Sequence, residues 1–152
     1  MIGDARSLLL AAAGRELSGF SRIFYVKGGV AKTEVGALSL HFTDGTLLTL
    51  DSGPDGEILT VLPRAWHDPF LGAPATPENI AFVASSGKWE ALDVSGEPGY
   101  VDLLGARVLS VLIIETLAGK PVGAIFRTMN GRVNAIVEAD DLYVHLPKNA
   151  VW

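Results

Sequence analysis

The sequence has no cysteine, which excludes disulfides, thiolate metal centres and cysteine nucleophiles. It is also short of positive charge. Twelve lysines and arginines stand against 17 aspartates and glutamates, a formal net charge of −5. A surface of that sign repels a phosphate backbone more than it attracts one, so direct nucleic-acid binding is not expected. No run approaches the ~20 apolar residues of a bilayer-spanning helix. The longest, 108–114, is strand-length and contains Ser110. The apolar run 8–13 follows Asp4 and Arg6, whose charges cancel, and it closes at Arg15 and Glu16. It therefore lacks the basic flank of a secretory signal. A cytoplasmic protein without membrane association is the expectation. What the chain does have is apolar side chains, 49% of 152 residues. That is too many for disorder, and the length suits one domain over 1–152.

The local signals are those of a mainly β protein with one amino-terminal helix. Asp4 can cap a helix from Ala5 to Leu17, with Leu9, Ala13 and Leu17 on one stripe. From Ile23 the period becomes that of strands, and Gly28–Gly29 reads as a turn. Leu38, Leu40 and Phe42 alternate with polar residues, and Asp44–Gly45 predicts a type I′ hairpin. Prolines 63, 69, 74 and 77 mark a long connection over 63–79 that also holds Trp66, His67 and Asp68. Segments 80–84 and 89–94 then read as a strand pair. Arg107–Glu115 and Val122–Arg127 form another hairpin, Asn130–Gly131 a second type I′ turn, and Asp140–Asp141 the turn before a last strand, 142–146. Leu40, Phe42, Leu112, Ile114 and Phe126 are the expected core. The order of strands and Asx–Gly turns in 20–62 resembles that in 80–146. The expected architecture is two similar antiparallel meanders forming a sandwich or a barrel.

Motifs for chemistry are absent. His41, His67 and His145 have no metal-ligand spacing. There is no nucleophile elbow, and the segment around Lys88 is no phosphate loop, since Phe82 or Val83 stands where its first glycine belongs and Trp89 where its hydroxyl belongs, after the lysine. Segment 51–62 begins like a calcium loop, but Gly53 and Leu62 stand where oxygen ligands belong. No catalytic, cofactor-binding or metal-binding residue is assigned. Two acidic groups remain: Asp51, Asp55 and Glu57 in one turn region, and Glu138, Asp140 and Asp141 in the corresponding region of the second portion. Exposed carboxylates can be solvated loops or can meet a basic partner. Tyr143 and His145, on one strand face beyond the second group, could supply an anchor.

His41-Phe-Thr-Asp-Gly-Thr46 and Glu138-Ala-Asp-Asp-Leu-Tyr143, in a small acidic chain without cysteine, resemble immunity proteins of bacterial toxin systems. The likeness covers roughly 36–62 and 107–146. It implies a non-enzymatic inhibitor that neutralises a cognate toxin, a basic protein partner and no cofactor, and it leaves room for a homodimer. The alternative is a small-molecule-binding barrel, or a cyclase- or isomerase-like enzyme, built around an apolar cavity.

Overall fold

Asp4 does cap the first helix, its carboxylate accepting from the Ser7 N–H at 2.7 Å. This helix, α1 (Ala5–Leu10), is much shorter than expected. Gly14 takes a positive φ of 89° and donates to the Val108 carbonyl at 2.7 Å, which turns the chain away from helix. Leu17 is thus not the end of a helical stripe. It is the first residue of strand β1 (Leu17–Lys27), paired with Phe42. The computed structural model describes residues 4–54, 56–68 and 76–147.

Strands β1, β2 (Val30–Phe42), β3 (Leu47–Ser52), β4 (Leu59–Leu62) and β5 (Lys88–Asp93) form a five-stranded antiparallel sheet in the order β4-β3-β2-β1-β5. Strands β6 (Ser110–Glu115), β7 (Pro121–Thr128), β8 (Gly131–Glu138) and β9 (Asp141–His145) form a four-stranded meander. β2, β3 and β4 lie against β9, β8 and β7, so the two sheets make an open sandwich rather than a closed barrel. Phe20, Leu40 and Leu50 of the first sheet pack against Ala124, Phe126 and Val133 of the second, and Leu9 of α1 belongs to the same core.

Segment 80–84 is not a strand. It lies within a second helix, α2 (Pro77–Ser86). Thr76 accepts from the Asn79 N–H, Pro77 occupies the first turn where its missing N–H costs nothing, and Gly87 ends the helix at φ 75°. The turns also differ from expectation. At Asp44–Gly45 only Gly45 has positive φ, in a three-residue loop closed by the Phe42 N–H on the Thr46 carbonyl. At 128–131 the loop residues are Met129 and Asn130, neither with positive φ. Buried Thr128 organises that loop instead, accepting from the Asn130 N–H and donating to the Gly131 carbonyl. Two positive φ values in a two-residue loop, the type I′ signature, occur at Gly28–Gly29 and at Ala139–Asp140.

Of the expected core, Leu40, Phe42 and Phe126 are buried and Ile114 is partly exposed, but Leu112 is 56% exposed. Val111 and Ile113, not their neighbours, turn towards the core. An unexpected member of the interior is Arg22, 4% exposed. Its guanidinium donates to the carbonyls of Gly36 and Ala37 and to the Tyr100 hydroxyl, and it sits 4.8 Å over the Phe24 ring.

Candidate functional site

Because side chains alternate along a strand, the residues between the core leucines of β2 and β3 point to the other face of the five-stranded sheet. Those residues are polar: Ser39, His41, Thr49 and Asp51. Ser39 and Thr49 are hydrogen-bonded at 2.7 Å, and Thr49 donates to the Arg64 carbonyl at 2.7 Å. That bond ties the segment after β4 across the sheet and brings Trp66 and His67 with it. Between this segment, the sheet and the β8–β9 turn lies a cleft of about 420 Å³. Ile23 and Ala37 line its floor, Trp66 and Trp89 contribute indoles, and Asp51, Asp140 and Asp141 contribute carboxylates. A neighbouring depression of about 540 Å³ shares Asp51, Trp66 and His67 with it.

The two acidic turns meet here. Gly56 holds φ 71°, and a Cβ on it would collide with the carboxyl and Cα of Asp140. Only glycine allows the β3–β4 turn to nest against the β8–β9 turn. Asp140 itself is held at φ 72° and Ala139 at φ 50°. An aspartate tolerates this region; an alanine there is strained. The floor is equally tight, since Gly36 at φ 147° leaves no room for a Cβ beside the Ile23 carbonyl.

Burial pushes the Asp51 carboxyl above the usual aspartate range and the nearby charge of Asp141 adds to the effect, while a 2.8 Å hydrogen bond from the Ser52 N–H works against it. Among the described residues no lysine or arginine lines the cleft. Among the described residues Asp51, Asp140 and Asp141 make no ion pair, whereas neighbouring Lys88 lies 3.6 Å from both Asp68 and Glu90. Nor are any three histidine, aspartate or glutamate side chains of the described residues grouped to hold a metal ion.

Asp51, Asp140 and Asp141 therefore converge. Glu57 and Glu138 are exposed, beside Gly56 and at the end of β8. Asp55 lies outside the described residues. Tyr143 and His145 do not line the cleft: they pair with Ile136 and Asn134 and face outward from the second sheet. Trp66, His67 and Trp89 were missing from the expected site. The signal that could have found them is the aromatic Trp66–His67 pair inside a proline-rich connection. Scans against protein-family models, curated proteins and solved structures found no match to this chain.

Proposed function

We propose that the chain is a binding module that captures a basic protein partner, acting as an immunity-type inhibitor that masks the active surface of a cognate toxin. The observation that supports this reading is the meeting of the two acidic turns at one cleft whose three aspartates have no lysine or arginine beside them among the described lining residues. Taking charges of one sign out of water is unfavourable unless the opposite sign arrives, so such a surface favours a basic partner over a neutral one. Inhibition then needs no chemistry from this chain, because occupying a basic toxin cleft with carboxylates excludes its substrate. Capture from the native host, followed by binding kinetics across a salt series, tests the reading. Association should be fast and should slow with salt, because exposed charges are screened beyond ~8 Å at physiological ionic strength. Reversal of Asp140 and Asp141 should slow it further. A partner whose association ignores both salt and reversal would overturn the acidic-surface mechanism.

A second reading is favoured by the two indoles and the size of the cleft, which falls in the range of small-molecule pockets. A small molecule co-purifying in the cleft, with no protein partner, would decide for it.

A further inference from the structure

We infer that the cleft is a receptor for one guanidinium group, that of an arginine on the partner, held beside Trp66 and Trp89 and facing Asp51 and Asp141. This rests on the binding-module reading and names what the module recognises. Three features select the ligand. The first is charge. Among the described residues the lining carries three aspartates, one histidine and no lysine or arginine, so the cleft has room for a cation. Burial and mutual repulsion both disfavour ionised Asp51 beside ionised Asp141. A cation between them offsets both effects.

The second feature is the walls. Trp89 is 43% exposed, and its ring is fixed by an edge-on contact with Tyr25 at 5.6 Å between centroids. Trp66 comes from the tethered segment that follows Arg64. Indoles hold cations through their faces, and a planar, weakly hydrated guanidinium stacks on them while still presenting its edge to carboxylates. An ammonium ion keeps its water more tightly and has no plane to stack. The chain already uses the same pairing internally, with Arg22 4.8 Å over Phe24 and Arg15 5.6 Å over Phe42.

The third feature is rigidity. The carboxylate side is built on a type I′ turn nested against Gly56, and the floor on the backbone that Arg22 holds from beneath. A site with its groups already in place loses less on binding.

The test uses N-acetyl-arginine amide as the probe, with the citrulline analogue as its neutral isostere and the lysine analogue as the other cation. Tryptophan indole N–H resonances are followed during titration of the intact chain. The arginine compound should bind saturably and shift the resonances of Trp66 and Trp89. The citrulline and lysine compounds should bind at least about tenfold more weakly. Asp51→Asn and Trp89→Ala, each checked for an unchanged far-ultraviolet spectrum, should each cost at least about tenfold. Equal binding of the arginine and citrulline compounds, or saturation without a shift at either indole, would overturn the inference. So would equal binding of the lysine compound. If a basic partner is captured and Asp51→Asn and Trp89→Ala leave its affinity unchanged, the guanidinium site fails and the binding-module reading stands. If the arginine compound binds as expected and no protein partner exists, the site stands and the module reading fails.

Discussion

The two sheets share one core but treat their outer faces in opposite ways. On the five-stranded sheet the inner face is built from large side chains such as Phe20, Leu40 and Leu50, and the outer face of β2 and β3 carries the polar Ser39, His41, Thr49 and Asp51. That polar face is not simply left to solvent. Ser39 and Thr49 are 4% and 5% exposed, because the segment after β4 is bonded down over them. The four-stranded sheet packs smaller residues inward, Ala124, Val133 and Ala135 around Phe126, and carries Leu112, Ile114, Ile125 and Ile136 on the outside. Polarity therefore marks the outside on β2 and β3 but not on β6. The cleft is found on the first sheet, where polar groups were available to be covered, bonded and lined with charge.

The sharpest way to break this comparison is at the core. Phe126 is fully buried, and Phe126→Ala should destabilise the fold by about 3–5 kcal/mol in urea unfolding. A loss below about 1 kcal/mol would mean that the second sheet does not pack on the first through this residue. Next comes Arg22, which joins core and cleft. Arg22→Leu keeps the apolar packing and removes three donors, leaving the Gly36 and Ala37 carbonyls buried without them. The cost should be about 2–3 kcal/mol. The variant should also bind a guanidinium probe less well, since the floor of the cleft is then unsupported.

Much of the fold was legible because several signals agreed. The Asp4 cap, the alternation through Phe42 and the Gly28–Gly29 turn all point to the structure that forms. Failures occurred where a signal was degenerate. Thr76-Pro77-Glu78 is a helix start in which proline suits the first turn, but four prolines in 63–79 suggested only a loop. In Val111-Leu112-Ile113-Ile114 every residue is apolar, so no period-two pattern says which face is inside. The acidic residues of the site could be read from the sequence, but not their meeting. Residues 51 and 141 are brought together by sheet packing, and the indoles of Trp66 and Trp89 come from segments whose placement depends on that packing.

Asp51 distinguishes the cost of the cleft from its use. A carboxyl whose folded value is raised destabilises the fold once it ionises, so this penalty is absent at low pH and appears as pH rises through the raised value. Stability should therefore increase as pH falls from that value towards the ordinary aspartate range. Asp51→Asn should raise the urea midpoint at neutral pH and flatten this dependence. Asp4, Asp44 and Asp93 have the opposite sign, because hydrogen bonds from Ser7, Thr46 and Ser95 lower them. Their contribution is lost only at lower pH, so the two effects occupy separate windows. A midpoint lowered by Asp51→Asn would refute the assignment. In the adjoining turn, Ala139→Gly should relieve about 1–2 kcal/mol of strain at φ 50° and give back about 0.5–1 kcal/mol in chain entropy. The net gain, about 0–1.5 kcal/mol, should appear as a higher melting temperature.

The smallest effect is expected at Leu112, and it sharpens the contrast with Phe126. Both residues are large and apolar, both lie in the four-stranded sheet, and sequence alone assigns both to the core. Yet Leu112 is 56% exposed while Phe126 is fully buried. Leu112→Ser removes little buried area and opens no enclosed cavity, so the two terms that make core truncations costly are both nearly absent. The change in unfolding free energy should stay within about 0.5 kcal/mol, as for other surface substitutions. Measured at several protein concentrations, it should also be constant, because an intramolecular contact does not depend on concentration. A cost above 1 kcal/mol that persists on dilution would place Leu112 inside the fold and reverse the facing of β6. A cost that grows with concentration would mean instead that a second copy of the chain covers this face, and the apolar outside of the second sheet would then be an interface rather than a surface.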